Sequence, residues 1–584
     1  MYPSVEPVEL SLSIDNQNEP SSDPARYWDL GLLLFCGWVL FTNLGGAALI
    51  EPDEGRNAEI AREILLLKDW VTPHYDFIPR LDKPLFFFGL IALSYKFFGI
   101  SEWAARLPSA LAALACLCIT YRFAGSLFGR RAGLWSALIL LSSIEFFALS
   151  RTVLMDMTLT FCITLALCSF CLGQRGVESG AGKSQFLLMY VAMGMATLLK
   201  GPIGFLLPAA VIGVYLLLTK RWSLLRHMQI PLGIALLILS VVPWYLVAES
   251  RNPGYLRYFL WEENVHRFTT PQFKRSGPWY YFLGVLAGGF FPWTVLLPAT
   301  ISDLGKRLLK GEYLFLSLWV AIPLLFFSLS SSKLPHYILP IYPPLAIILA
   351  AVIAKTLTDS RMKNRGILRL PVAIFCLSSF AIVLAVLWPG LLPDRLQGYV
   401  REHLIWRPEF SLFVGFHPIL ALALPSSKKG ARAKHEYLYP ATAFGFALLV
   451  LCANPIWISV SLNRSSKQLA ERVAPSIHSD DRVVLYGGYP SSLPFYLNIQ
   501  RPIWVIGPAD SNKILASDYV ARQRPEPAAG YGKVLYTPDE FAALWKHSKH
   551  RLVVFIKSSA VDKLDGNTPL TIARVGEISV VTNK

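Results

Sequence analysis

This 584-residue sequence predicts an all-α polytopic membrane protein of about thirteen transmembrane helices, carrying a small C-terminal α/β domain on the outer surface. Three observations predict it. Hydrophobic residues make up 54% and charged residues only 16% of the chain, against roughly a quarter charged in soluble domains, and the mean hydropathy is +0.44. The apolar residues are gathered in blocks of about 17–22, the length that crosses roughly 30 Å of hydrocarbon as helix. Lys and Arg concentrate in alternate short loops between the blocks. In lipid every backbone polar group must be satisfied within its own segment, so the blocks are helices. A soluble protein with as many buried helices would show polar faces that these blocks lack.

The net charge of +16 would suggest nucleic-acid binding in a soluble protein. Here the cations sit between spans, where they set orientation, so nucleic acid is excluded as a partner. The eight cysteines (Cys36, Cys116, Cys118, Cys162, Cys168, Cys171, Cys376 and Cys452) all lie in apolar blocks. They read as small buried hydrophobes, not as disulfides or a metal site.

In chain order, residues 1–28 are polar and somewhat acidic and read as a cytoplasmic tail, not a cleavable signal peptide. Spans follow near 29–49, 103–121, 132–149, 154–172, 186–200, 203–219, 229–248, 279–300, 313–329, 336–354, 369–388, 411–424 and 439–461, within a transmembrane unit of 29–461. The loops holding Arg130/Arg131, Lys220/Arg221, Lys306/Arg307, Arg361/Lys363 and Lys428/Lys429 belong to the cytoplasmic side. Segment 85–98 is apolar but only about 14 residues long, short for a crossing. Counting it as a span would put the Arg130–Arg131 loop outside, so it is placed as an interfacial or re-entrant helix within an outer loop, 51–102. By parity 249–278, the loop before His336 and everything from 462 to 584 also face outward. That last piece changes character. A helix at 466–473 and strands at 482–486, 503–506 and 552–556 make it a small periplasmic α/β domain.

The outer loops hold much ionisable material beside the membrane. Glu51-Pro-Asp-Glu-Gly-Arg56 follows the first span. An amphipathic stretch with Glu59, Arg62 and Glu63 comes next, then Arg80-Leu-Asp-Lys-Pro84. Arg151-Thr-Val-Leu-Met-Asp156, Trp261-Glu-Glu-Asn-Val-His266-Arg267 and Ser332-Lys-Leu-Pro-His336-Tyr337 stand at the outer ends of other spans. Ionisable residues at membrane depth are costly and mark functional sites by default. The competing reading leaves these charges in the headgroup zone. In it Asp82 caps the interfacial helix, Asp156 bridges Arg151 and Lys333 snorkels to headgroups. Parity places every one of the motifs on one face, where one cavity can collect Asp53, Asp82, Asp156, Lys83, Lys200, His266 and Lys333. Grouped cations suit a phosphate, and a carboxylate with an imidazole suits a divalent metal.

Six motifs in order carry a family likeness: Asp53-Glu-x-Arg56, Asp82-Lys-Pro-Leu, Met-Asp156-Met, Leu-x-Lys200-Gly-Pro, His266-Arg-Phe and Lys333-Leu-Pro-x-Tyr337-Ile-Leu-Pro. Together they resemble the bacterial aminoarabinose transferases, integral membrane glycosyltransferases of the GT-C fold related to protein O-mannosyltransferases. The resemblance implies an inverting, polyprenyl-phosphate-dependent enzyme of the bacterial inner membrane, acting at the periplasmic face. Its donor would be a sugar on undecaprenyl phosphate, with aminoarabinose the leading sugar, and its acceptor lipid A or lipopolysaccharide. It also implies Asp53, Glu54 and Asp156 as catalytic residues, and Arg56, Lys83, Lys200, Lys333 and Tyr337 as substrate- or phosphate-binding residues. Asp82 and His266 become a divalent-metal pair (zinc, magnesium or manganese), with Asp82 standing where the family has Glu. No nucleotide cofactor is implied, and the chain is taken as a monomer.

Breaking a sugar–phosphate bond builds positive charge on the ring as the phosphate leaves. Fixed cations stabilise the leaving group, and a carboxylate beside an acceptor hydroxyl can take its proton. A phosphate acceptor needs no deprotonation, and Asp53 would then position it or steady the ring charge. Other transferases, acting on protein hydroxyls or with other lipopolysaccharide sugars, remain open. A sugar or lipid transporter would carry charges near the midplane and internal repeats, neither of which this sequence shows.

Overall fold

The computed structural model describes residues 24–358, 445 and 454–584, apart from 179, 270–276, 508–514, 516–519, 521–525, 529 and 565–568. The expected spans at 369–388 and 411–424, and most of 439–461, lie outside the described residues.

Ten helices lead the chain: α1 (Pro24–Phe41), α2 (Asp53–Leu67), α3 (Phe86–Phe98), α4 (Glu102–Phe128), α5 (Arg130–Leu141), α6 (Ile144–Ser150), α7 (Met155–Arg175), α8 (Gly182–Lys200), α9 (Ile203–Thr219) and α10 (Ile230–Arg251). Their ends follow local chemistry. Ser101 caps α4, its hydroxyl accepting the Ala104 N–H at 3.2 Å, and Glu102 in the first turn complements the helix dipole. Gly129, at φ 86°, ends α4 where a side chain would strain the backbone. Among the described residues, five helices are long and apolar enough to cross a membrane, or seven if each of two bent pairs counts as one span. The chain is an integral membrane protein.

Those bent pairs fall on two of the expected spans. The span at 132–149 is α5 and α6, turned by 70° at a break between them. There the Ser142 and Ser143 hydroxyls bond back to the Leu138 and Ile139 carbonyls, at 2.6 and 2.7 Å. Such back-bonding bends helices. The span at 279–300 is Tyr281–Gly289 followed by Trp293–Leu309, turned by 109°. Pro292, without an N–H, stands in that break. The two breaks meet: Trp293 Nε1 donates to Ser142 Oγ at 2.9 Å. The expected span at 29–49 is helical only to Phe41 and then turns.

The loop 51–102 is folded protein, not a tether lying in headgroups. Glu59, Arg62 and Glu63 of α2 are buried, and Arg62 pairs with Glu59 at 2.7 Å. A short hairpin follows, β1 (His74–Tyr75) against β2 (Ile78–Pro79). Its two-residue turn puts both Asp76 and Phe77 at positive φ, 56° and 60°, as a type I′ turn requires. That is unfavourable for phenylalanine. The Glu63 carboxylate holds the turn by accepting the N–H of Asp76 at 2.7 Å and of Phe77 at 2.9 Å. α3, the expected interfacial helix, packs on α2 and α4.

The C-terminal residues build a six-stranded sheet ordered β5-β4-β3-β6-β8-β7: β3 (Arg482–Tyr486), β4 (Trp504–Ile506), β5 (Leu535–Tyr536), β6 (Leu552–Lys557), β7 (Leu570–Val575) and β8 (Ile578–Thr582). The first four are parallel, and β8 and β7 complete the sheet antiparallel. Both faces are covered, so the central strands read as unbroken apolar runs. Val483, Leu485, Val553 and Phe555 pack under the helix Lys467–Val473. The alternate residues Val484, Val554 and Ile556 pack against Phe541 and Trp545 of the helix Pro538–His547.

Candidate active site

Six places in the chain converge on one cavity. It is lined by Asp53, Arg56 and Asn57 from α2, by Arg80, Asp82 and Lys83 after the hairpin, and by Asp156 and Lys200 from the facing ends of α7 and α8. Glu263 and Arg267 complete it from one outer segment, with His336 and Tyr337 from another.

Each cation is already matched to a carboxylate. Asp53 and Arg56 pair one turn apart on α2. Arg80 pairs with Asp82 at 2.7 Å and donates to the Leu515 carbonyl at 2.6 Å. Lys83 meets Glu263 at 2.6 Å, and Arg267 meets the same carboxylate oxygen. Asp156 lies in the first turn of α7, where the helix dipole favours an anion. It pairs with Lys200, and His336 Nε2 is 3.7 Å from its other oxygen. The Lys200 ammonium stands 4.5 Å from the Tyr337 ring centre, a cation–π contact, and Arg267 reaches the Tyr337 hydroxyl at 3.5 Å. Burial works against the charge of Arg267, but Glu263 beside it prevails and holds the guanidinium pKa above its ordinary value.

Exposure separates the carboxylates. The Asp53 side chain is 45% exposed, against 6% for Asp156 and 4% for Glu263. Asp53 is therefore the acid that an incoming molecule meets. Lys200 is set by Gly201, whose φ of +83° ends α8 and whose Cα faces Phe259 so closely that an added Cβ would stand 2.8 Å from that ring.

The cavity gathers Asp53, Arg56, Asp82, Lys83, Asp156, Lys200 and Tyr337 from among the residues singled out in the sequence. It does not take in Glu54, Lys333 or His266. Glu54 is a correction. It faces the protein interior, where Arg106 meets both its oxygens at 3.0 Å and the N–H groups of Val153 and Ile50 donate to it. Lys333 is buried, its ammonium donating to the Ser330 carbonyl at 2.6 Å, so it neither lines the cavity nor snorkels. His266 lies 3.5 Å from Glu262 on its own turn. Asp82 does not cap α3: it takes Arg80 and the Tyr258 hydroxyl, the latter at 3.1 Å. Asp156 takes Lys200 in place of Arg151, which instead donates to the carbonyls of Leu40 and Thr42.

A divalent metal does not fit the residues present. Asp82 is committed to a guanidinium and a phenol, His266 lies outside the cavity lining, and among the described residues no group of three or more His, Cys, Asp or Glu is placed to hold an ion.

Reasoning from sequence missed Arg80, Glu263, Arg267 and His336 as cavity residues, although each stood inside a motif already noted. Glu263 and Arg267 have a local cause. Residues Tyr258–His266 form a π-helix, a rare widening common at functional sites, in which Glu263 is buried, Glu262 is half-buried and Trp261 is exposed.

A family profile described as dolichyl-phosphate-mannose-protein mannosyltransferase matches residues 82–246. The undecaprenyl phosphate-alpha-4-amino-4-deoxy-L-arabinose arabinosyl transferase of Yersinia pestis is 31% identical over 383 residues, 64% of this chain and 68% of that protein. The chain belongs to the aminoarabinose transferase family. The Edwardsiella ictaluri transferase of the same name is 30% identical over 365 residues, and the aligned stretch spans 66% of its length, just under two thirds. Among solved structures, that of ArnT from Cupriavidus metallidurans bound to undecaprenyl phosphate superposes with a TM-score of 0.79 at 26% identity, covering 96% of this chain and 98% of that one. The fold is that of this aminoarabinose transferase, helical membrane unit and C-terminal sheet together.

Proposed function

We propose that this protein is a glycosyltransferase that moves 4-amino-4-deoxy-L-arabinose from undecaprenyl phosphate to a phosphate of lipid A, at the periplasmic face of the bacterial inner membrane. The observation that carries the reading is the pair Lys83 and Arg267 converging on one oxygen of Glu263. Two cations aimed at one point form a ready anion site, and a phosphate can share or displace the carboxylate there. The relatives named for this donor, and the solved relative holding undecaprenyl phosphate, supply the chemical identity.

In the reaction an acceptor phosphate oxygen attacks the anomeric carbon, and the bond from that carbon to the donor phosphate oxygen breaks with inversion. Undecaprenyl phosphate leaves with the electron pair. The ring carries positive charge in the transition state while the leaving phosphate gains negative charge. Lys83 and Arg267, with Arg56 in the same cavity lining, are preorganised for that developing anion, the kind of electrostatic help that is often the largest catalytic contribution. A phosphate acceptor brings no proton to remove, so Asp53 orients the acceptor through Arg56 and steadies the oxocarbenium-like ring. Asp156, paired with Lys200, is a fixed ion pair in the cavity lining. No step requires a metal or a nucleotide.

Deleting the gene and comparing lipid A by mass spectrometry tests this. The expected result is loss of the aminoarabinose mass increment from lipid A phosphates, restored by the intact gene. An unchanged lipid A with a glycan missing from envelope proteins would instead favour a protein hydroxyl acceptor, the activity named by the matching family profile.

A further inference from the structure

Glu51 lies two residues before Asp53 and outside the cavity lining, and its carboxylate is held entirely by the C-terminal part of the chain. Oε1 accepts from Ser466 Oγ at 3.0 Å, from the Ser492 N–H at 2.8 Å and from Ser492 Oγ at 2.5 Å. Oε2 accepts from the Ser491 N–H at 2.5 Å. The backbone joins in, with the Glu51 N–H donating to the Arg464 carbonyl at 2.8 Å. All three serines are buried, so these are charge-assisted bonds shielded from water, the strong kind.

A second observation concerns spacing. The first turn of α2 is pressed onto the same serines: a Cβ added to Gly55 would lie 2.6 Å from the Ser492 backbone. On the far side Glu54 is clamped by Arg106. The turn bearing Asp53 and Arg56 is therefore gripped from two directions, by α4 through Glu54 and by the C-terminal residues through Glu51.

We propose that Glu51 is a positioning residue: the grip of Ser466, Ser491 and Ser492 on its carboxylate sets the Asp53–Arg56 pair at the cavity. This gives the C-terminal α/β region a part in catalysis without any catalytic residue of its own. The inference rests on the reading that Asp53 and Arg56 act in sugar transfer. A carboxylate is required because both oxygens face donors only. A carboxamide would turn an NH2 group toward an N–H or a hydroxyl and break one side of the grip.

The test uses the purified full-length protein, with undecaprenyl phosphate-aminoarabinose as donor and lipid A as acceptor. Glu51→Gln is expected to lower kcat about 10- to 100-fold, since an ångström of misplacement costs that much, while KM for the donor changes less than about threefold. The double variant Glu51→Gln/Asp53→Asn should be no slower than Asp53→Asn alone. Multiplying effects would overturn the proposal, as would an unchanged kcat. Hydrogen–deuterium exchange gives a reading free of activity: Glu51→Gln should speed exchange of the amides at 51–60 and leave strands β3 and β6 protected. Unchanged exchange at 51–60 overturns the proposal, and so does loosening that spreads through the sheet, which marks a structural role only. Where Glu51→Gln does not fold, Ser466→Ala/Ser492→Ala is expected to move both measurements the same way by less. An inactive wild type would refute the donor or acceptor assignment, and exchange would still decide the role of Glu51.

Discussion

Asp53 and Glu54 are neighbours in sequence and opposites in environment. Successive residues on a helix point about 100° apart. Asp53 looks into the cavity beside Arg56, and Glu54 looks into the bundle, where Arg106 takes both its oxygens. Their substitutions should therefore fail in different ways. Asp53→Asn keeps size and shape, and is expected to lower kcat by about 10²-fold or more with the melting temperature little changed. Glu54→Gln strands a fully buried guanidinium, and breaking such a pair costs about 3–5 kcal/mol. It should show as a large drop in melting temperature and yield, which Asp53→Asn does not share. A Glu54→Gln protein that melts normally but cannot turn over would return Glu54 to the catalytic group.

At the level of elements, the site is assembled from helix ends. The first turns of α2 and α7 and the last turn of α8 point their charged residues at one place, and the π-helical turn supplies the opposing Glu263. The junction after α8 is the tightest of these. Gly201→Ala costs about 1–3 kcal/mol for the backbone alone, at φ 83° and ψ −157°, and its Cβ must also push the Phe259 ring away. Gly254 is an internal control, at φ +89° with nothing within 4 Å of an added Cβ. Both alanine variants should lose stability, and Gly201→Ala alone should also lose affinity for undecaprenyl phosphate, read as a smaller thermal shift on adding that lipid. Equal behaviour of the two would remove the link between this junction and the site.

Across the whole molecule, the loop after the first span and the C-terminal sheet form one body. Arg80 reaches Leu515, Arg62 reaches Asn498 and Ile499, and Asp76 Oδ1 accepts the Ile503 N–H at 2.8 Å. Burial first, and Glu59 nearby with it, push the Asp76 carboxyl well above the usual carboxylate range, although the Ile503 N–H pulls the other way. A raised acid pKa means that the folded state keeps a proton that the unfolded chain has released. This contribution is thus fully present below the unfolded value of about 4 and fades as pH rises through the folded one. The melting temperature of the wild type should fall as pH rises above about 4 through this contribution, and Asp76→Asn should flatten that slope. An identical slope in the variant would show that Asp76 ionises normally.

Much of this protein was legible without coordinates. The blocks of apolar residues are set by the thickness of hydrocarbon, so they announce a membrane protein from composition alone, and the charged motifs beside them announce the cavity. Strands β3, β4 and β6 were legible too, because a sheet covered on both faces leaves continuous apolar runs such as Val483–Val484–Leu485. What only the tertiary structure decided is which member of each charged cluster lines the cavity: Asp53 and not Glu54, Glu263 and not Glu262, His336 and not His266. The reason is physical. A buried charge is defined by the partner that neutralises it, and those partners lie far along the chain, 180 residues between Lys83 and Glu263, 52 between Glu54 and Arg106, 44 between Asp156 and Lys200. Local pattern reports which residues are costly to bury, and only the packed fold reports what each one is buried against.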